Sequence, residues 1–330
     1  MSHAIEFRNV SKQFGEGGPA VDRLSFSVEE GTTMALVGPS GCGKTTSLKM
    51  INRLVEPTAG EILVAGRAIM TVPLLELRRS LGYVIQSVGL FPHMTVADNV
   101  GVVPHLLGWP KARIDARVDE LLDLVGLPPA EYRHRRPRAL SGGQQQRVGV
   151  ARALAADPPI LLMDEPFGAL DPITRDRLQD ELIQIQRKLR KTIMIVTHDM
   201  NEAVRLADRI AVLQAGRLVQ LCGPASLLAA PANAFVADLL GRDRLLKLLR
   251  TTPAGAVMAR GPSGDAASGP RVREDASLEE ALLAMLQAGA PGVAVIGDAG
   301  EILGSLTATD IVKSNRDLSQ ARDPIVPSMA

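Results

Sequence analysis

The chain has 330 residues, 46% hydrophobic and 22% charged, a composition that suits two globular domains with a sizeable core. Its 37 basic and 36 acidic residues leave a net charge of +1, and only 3% of residues are aromatic. That balance excludes the basic stripe and base-stacking platforms of a general nucleic-acid binder, so no nucleic acid is expected as a partner.

In chain order, Ile5, Phe7 and Val10 alternate with polar residues, as do Leu24, Phe26 and Val28, and both stretches read as strands. Glu30-Gly31 is a turn signal. Thr33–Val37 is a short apolar run ending at Gly38, the pattern of a buried central strand. The following Lys44–Leu54 has helical spacing, with Leu48, Ile51 and Val55 on one side. The region from about Val88 to Pro159 reads as mostly helical, for example Ile114–Val125 through Val118, Leu121, Leu122 and Val125. Ile160–Met163 and Ile193–Val196 read as buried strands. Asp176–Leu189 is a helix by Leu178, Leu182, Ile185 and Leu189, and Asn201–Leu206 starts another. From Thr251 to Pro270 the chain turns Gly-, Ala-, Ser- and Pro-rich, including Gly261-Pro262-Ser263-Gly264, which is linker composition. Beyond it, a helix is expected over Ser277–Gln287, strands at Gly292–Ile296 and Gly304–Thr307, a helix at Thr309–Lys313, and a frayed tail from Ser314.

The two cysteines, Cys42 and Cys222, make no disulfide framework and fit a reducing cytosol. The opening Met1–Glu6 lacks the features of a signal peptide, and no apolar run approaches the roughly 18 residues of a membrane span. A membrane process would need another chain to do the spanning.

Two glycine turns carry the chemistry. Gly38-Pro39-Ser40-Gly41-Cys42-Gly43-Lys44-Thr45, followed by Thr46, matches G-x-x-x-x-G-K-[ST] between a strand and a helix. Backbone N–H groups at such a helix start meet the dense charge of a triphosphate. Lys44 would reach the β- and γ-phosphates, and the Thr45 hydroxyl would hold Mg²⁺. Downstream, the Ile160–Met163 strand delivers Asp164 to a metal, and Glu165 one step later is placed to orient or activate water. His198 follows a strand end, where α/β sheets bind ligands, and suits a γ-phosphate contact. Gln86 ends the apolar stretch Leu81–Ile85 and would touch Mg²⁺ or the attacking water. The second turn, Leu140-Ser141-Gly142-Gly143-Gln144, precedes a helix and suggests a reaction centre built from two separate pieces.

The order of Lys44, Gln86, Leu140–Gln144, Asp164-Glu165, Ala169-Leu170-Asp171 and His198 resembles the ABC-family ATPases over about residues 4–240. The resemblance implies an α/β fold with a P-loop NTPase (RecA-like) core and antiparallel β and helical subdomains. It implies Glu165 as general base with His198 and Gln86 beside it. Phe14 would stack on adenine. Ser141, Gly142, Gly143, Gln144 and Asp171 would act in trans, on the ATP held by a second copy. The Leu48–Thr58 stretch, and Gly82–Gln86 followed by Gly89–Thr95, resemble the ATPase subunit of glycine betaine/carnitine/choline importers. The expected partners are then a second ATPase subunit, integral membrane permease subunits and an extracytoplasmic solute-binding protein. The expected location is the cytoplasmic face of a bacterial inner membrane, held peripherally. Segment Val88–Thr95 would meet the permease through exposed Leu90, Phe91 and Met94, or these residues belong to the helical core.

The C-terminal part resembles a small α+β CBS domain by Ala256-Val257-Met258, Val272–Leu278, Gly292–Ile296 and Gly304–Asp310, with Thr307-Ala308-Thr309-Asp310 as a motif able to bind a ribose. The expected division is an ATPase over 1–240 (helical subdomain 88–159), a linker over 241–270, one CBS-like unit over 271–313 (or from near 245) and a tail over 314–330. An ABC importer ATPase for another small solute, a non-transport ABC ATPase and a nucleotide sensor built on that tail are the competing readings. The basic cluster Arg133-His134-Arg135-Arg136 with Arg138 reads as a solvated loop.

Overall fold

The computed structural model describes residues 3–313 apart from 87–88, 169, 242 and 262–268. Val88, Ala169, the middle of the expected linker and the tail from Ser314 therefore lie outside the described residues. The chain divides into two compact units between Val219 and Gln220.

The first unit runs β1 (His3–Lys12), β2 (Val21–Glu29), β3 (Thr33–Val37), α1 (Lys44–Ile51), β4 (Ala59–Val64), β5 (Arg67–Ala68), α2 (Leu74–Arg79) and β6 (Leu81–Val84). It continues α3 (Val96–Leu106), α4 (Lys111–Leu124), α5 (Pro129–Tyr132), α6 (Gly142–Leu154), β7 (Ile160–Asp164), α7 (Pro172–Leu189), β8 (Thr192–Val196), α8 (Met200–Leu206), β9 (Arg209–Gln214) and β10 (Arg217–Cys222), the strand in which the division falls.

A six-stranded sheet of order β10-β9-β3-β8-β7-β6 forms the centre. The pairs β9/β3, β3/β8, β8/β7 and β7/β6 are parallel. Every residue of β3, β7 and β8 is buried, and each strand is apolar but for one end residue (Thr33, Asp164 and Thr192), the near-continuous apolar pattern of parallel strands covered on both faces. Register sets Leu36 beside Val196, Val196 beside Asp164, and Met163 beside Val84. The C-terminal ends of β3, β8, β7 and β6 thus lie side by side, where ligands bind to an open α/β sheet.

A second sheet, β2-β1-β4-β5, is antiparallel. Phe7 and Phe26 stack across it with ring centroids 4.5 Å apart. The helices α3, α4 and α6 pack on one another and bury Val96, Val100, Val118, Leu121, Leu122 and Val148. Each such side chain contributes about 1.5–3 kcal/mol of burial. Thr95 starts α3 with a reciprocal capping box to Asp98. The expectation of three exposed apolar residues in the segment before α3 needs correction. Leu90 packs against the helical core, Met94 is half-buried, and Phe91 alone of the three is exposed, at 41%. The cause is Asn99: its buried amide accepts from Phe91 N–H at 2.8 Å and donates to Phe91 C=O at 3.2 Å, which seats Leu90 inward.

The second unit holds α9 (Pro224–Ala229), α10 (Ala234–Leu240), α11 (Arg244–Thr251), β11 (Ala259–Arg260), β12 (Arg271–Arg273), α12 (Leu278–Ala288), β13 (Gly292–Ile296) and β14 (Ile302–Thr307), then a helix from 308 to 313. Its sheet has the order β11-β14-β13-β12. Part of the stretch expected as linker is structured: α11 packs against α9 and α12. Leu248 is buried, and Leu249 packs on the cluster of Ala254, Leu278, Ala281, Met285, Val293 and Leu306, so packed structure extends into the Thr251–Pro270 stretch as far as Ala254.

Candidate active site

The glycine turn between β3 and α1 is built to face an anion. Gly43 stands at the N-cap of α1 at φ 101° with no side-chain cap, so the first turn of the helix presents its backbone N–H groups unblocked. A Cβ at Gly43 would meet Ala20 C=O at 2.5 Å, so this turn tolerates only glycine. The same contact brings the end of the β1–β2 loop against the turn, and this loop carries Phe14, which is 53% exposed. Pro39, Ser40 and Gly41 are exposed, while Gly38 and Cys42 are buried. The buried Lys44 folds its ammonium onto Gly38 C=O at 2.7 Å and Pro39 C=O at 2.9 Å, and so fixes the turn from inside.

At the neighbouring strand ends, Thr45 donates its hydroxyl to Asp164 Oδ1 at 2.9 Å. Asp164 is only 5% exposed, and burial raises its carboxyl pKa against the lowering pull of Thr45, Lys49 and Lys44. A buried carboxylate beside a hydroxyl is an all-oxygen donor pair, which suits a hard divalent cation. No cluster of three or more His, Cys, Asp or Glu able to hold a metal occurs among the described residues.

Glu165 follows directly and adopts φ 44°, a left-handed conformation that is costly for a side chain of this kind. Its N–H is held by Val196 C=O at 2.9 Å. One carboxylate oxygen accepts from Gln86 Nε2 at 3.0 Å and the other lies 3.3 Å from His198 Nδ1. Gln86, expected to touch a metal or water, and His198, expected at a phosphate, are thus brought together on Glu165. Thr46 lies half-buried in the first turn of α1.

The second glycine turn is of a different kind. Ser141 accepts from Gln144 N–H at 3.3 Å and Gln144 Oε1 accepts from Ser141 N–H at 2.9 Å, a closed capping box at the start of α6. Gln144 Nε2 donates to Tyr132 Oη at 3.1 Å. A Cβ on Gly143 would meet Thr174 Cγ2 at 2.7 Å, because α7 packs directly against this turn. Among the described residues no hydrogen bond of Ser141 or Gln144 reaches residues 38–46. Asp171 caps α7 by accepting from Thr174 N–H at 3.0 Å, and hydrogen bonding from Thr174, its side chain first and its N–H second, holds the Asp171 pKa low.

The ABC transporter family model matches residues 21–168, and the CBS domain model matches residues 255–317. The osmoprotectant import ATP-binding protein OsmV of Salmonella typhimurium is 49% identical over 304 residues, 91% of this chain and 78% of that protein. The glycine betaine uptake system ATP-binding protein YehX of Escherichia coli is 48% identical over 309 residues, 93% of this chain and 99% of that protein. The glycine betaine/carnitine/choline transport ATP-binding protein OpuCA of Bacillus subtilis is 54% identical over 243 residues, 74% of this chain and 64% of that protein. The chain belongs to the ABC transporter ATP-binding family. A dimeric post-hydrolysis structure of an ATP-binding cassette bound to ADP and Pi superimposes with a TM-score of 0.60 at 33% identity, covering 67% of this chain and 98% of the cassette.

In this ABC subunit two members of the basic cluster are engaged. Arg133 bonds Asp119 at 2.9 Å and Asp115 at 3.1 Å, and Arg135 pairs with Glu131 and lies over the Tyr132 ring. Sequence reasoning passed over Tyr132 as support for Gln144, since nothing local marks a contact across 12 residues. It also passed over Asp199, which caps α8 by accepting from Asn201 N–H at 2.8 Å and Glu202 N–H at 3.4 Å. The D-x-x-E spacing of Asp199 and Glu202 is a helix-start signal that would have found it. In the second unit, Asp310 Oδ2 accepts from Thr307 Oγ1 at 2.6 Å and Thr307 N–H at 2.9 Å, so the two side chains of that motif are bonded to each other.

Proposed function

We propose that this chain is the ATP-hydrolysing subunit of an importer for a quaternary-amine osmoprotectant such as glycine betaine, carnitine or choline. The support is twofold. The site joins an open phosphate turn to a gripped carboxylate at strand ends of one sheet, and the similarity to OsmV and YehX runs past the cassette into the second unit.

On this reading Gly38–Thr46 cradle ATP, with Lys44 at the β- and γ-phosphates and Phe14 on the adenine. Thr45, Asp164 and Gln86 hold Mg²⁺, which neutralises phosphate charge when bound. Glu165 takes the proton of the attacking water, aimed by Gln86 on one side and His198 on the other. His198 contacts the γ-phosphate. Ser141, Gly142, Gly143, Gln144 and Asp171 complete the site of a second copy packed head-to-tail, since their bonds within one chain leave the phosphate turn uncovered. A two-fold pair supplies both halves to both sites. Permease subunits, fed by an extracytoplasmic solute-binding protein, supply the membrane span, and the ATPase sits peripherally on the cytoplasmic face. No described helix is long and apolar enough to cross a membrane. The cassette spans 1–240, and one CBS-like unit runs from near 245 to 313.

The observation that carries the hydrolytic role is Glu165 held at 3.0 and 3.3 Å between Gln86 and His198. Glu165→Gln should lower turnover by roughly a hundredfold or more, the scale of losing a general base, while leaving ATP affinity within about twofold. Parental turnover in that variant would remove the role. Uptake of labelled glycine betaine by cells carrying this chain with its permease, lost on Glu165→Gln, would test the solute class.

A further inference from the structure

Arg175 and the residues around His198 form a bonded strap that the hydrolytic residues alone do not require. Arg175 lies on the second turn of α7. Its planar fork donates from Nη1 to Asp199 Oδ2 at 3.2 Å and from Nη2 to Leu170 C=O at 3.2 Å. Leu170 belongs to the turn that ends in Asp171, and its side chain lies 3.9 Å from where a Cβ on Gly142 would stand. Asp199 directly follows His198. On the other side of the same turn, Asp199 N–H donates to Thr197 Oγ1 at 3.0 Å, and that hydroxyl donates to Glu202 Oε2 at 3.0 Å. Thr197 and Glu202 are 2% and 4% exposed, so the backbone flanking His198 is anchored in the core on one side and to Arg175 on the other.

The Arg175–Asp199 pair is a poor stability device, since both side chains keep about a quarter to a third of their exposure (30% and 26%) and water screens them. Its geometry is specific nonetheless. One guanidinium bridges the turn beside the Ser141–Gln144 cap to the turn that places His198 against Glu165.

We propose that Arg175 is a positioning residue for hydrolysis: it ties the Leu170–Asp171 turn, on the face a second copy would cover, to the His198 turn, so that docking of that copy holds His198 where it already stands, 3.3 Å from Glu165. This rests on the reading that a second copy completes the reaction centre. The strap lets a contact at Asp171 restrain the backbone at His198 without the two residues touching.

The test uses the full-length chain and measures ATPase rate against ATP and against protein concentration, with a melting curve for each variant. Arg175→Ala should lower kcat about tenfold or more, the cost of a small misplacement of catalytic groups, with KM changed less than about twofold. The Hill coefficient for ATP should fall from about 2 towards about 1. Asp199→Asn should do the same, because Asn keeps the α8 cap but loses the ion pair. The double variant should be no slower than the slower single one, the signature of a shared interaction. Arg175→Lys, which can make one of the two bonds, should recover part of the loss. Parental kcat and cooperativity in Arg175→Ala would overturn the proposal, as would additive losses in the double variant. So would a collapse of the Arg175→Ala melting temperature with Arg175→Lys and Asp199→Asn at the parental rate, since the loss would then be of folding. A parental chain with a Hill coefficient of about 1 and a rate per chain independent of concentration would remove the two-copy reading itself, and the strap with it.

Discussion

The turns at Gly38–Thr45 and Ser141–Gln144 both place glycines before a helix, yet they differ in one respect. The first leaves the start of α1 without a side-chain cap. The second closes the start of α6 on itself through Ser141 and Gln144, as Thr307 and Asp310 close theirs in the second unit. A helix start without a side-chain cap leaves N–H groups for water or a ligand to satisfy, and α4 and α9 also start uncapped. What sets the first turn apart is the glycine-specific backbone around Gly43 and the buried Lys44 beside it. The second turn is held rigid by its own cap and leaves the first uncovered within one chain.

The largest expected effect tests the open turn directly. Lys44→Ala should weaken ATP binding by the isolated subunit by roughly a hundredfold, given the strength of charge-assisted contacts. Ser141→Ala should leave that binding within about twofold and yet cut turnover roughly a hundredfold, the scale of losing one donor to a developing charge. Equilibrium binding of a fluorescent ATP analogue beside steady-state turnover separates them. Equal loss of binding in both variants would break the contrast.

A smaller effect concerns the closed His198 turn. Burial is the main cause that pushes the Glu202 carboxyl up to about 7, against an ordinary value of 4.5; Asp199 and Glu165 add to the rise, while the Thr197 bond and Arg175 oppose it. Between those two values the native chain holds a proton that the unfolded chain has released. Stability therefore falls as pH rises through the window, by up to roughly 3 kcal/mol, and the loss is complete above it. Glu202→Gln should flatten this slope while keeping an acceptor for Thr197. Chemical denaturation from pH 4 to 8 measures it, and identical slopes would discard the assignment.

The smallest effect sharpens the comparison in the second unit. Asp310→Ala should cost about 1 kcal/mol, the worth of a reciprocal cap, and leave ATP turnover within about twofold. A large loss of turnover would show that Thr307–Asp310 acts on the ATP site rather than on its own helix.

Wherever local chemistry sufficed, the sequence was legible. The strand Thr33–Val37, its glycine turn and α1 follow from an apolar run, a residue-specific backbone and helical spacing, all within 20 residues. The buried strand before Asp164 is equally plain. The boundary of the linker was legible as well, in Asp243 and the helical spacing of the leucines after it, and the packing of Leu248 and Leu249 makes that helix part of the second unit. Leu90 was not legible, since the buried amide that turns it inward sits nine residues away.

The amino-acid order by itself settled which chemistry this chain carries, because phosphate-facing turns and strand-end carboxylates are encoded in contiguous residues. What only the folded sheet decided is how those pieces meet. Gln86, Glu165 and His198 come from three strand ends separated by 79 and 33 positions, and parallel register alone brings them within hydrogen-bond reach. Arg175 and Asp199 meet for the same reason: a helix packed beside a strand end converts distance along the chain into contact in space.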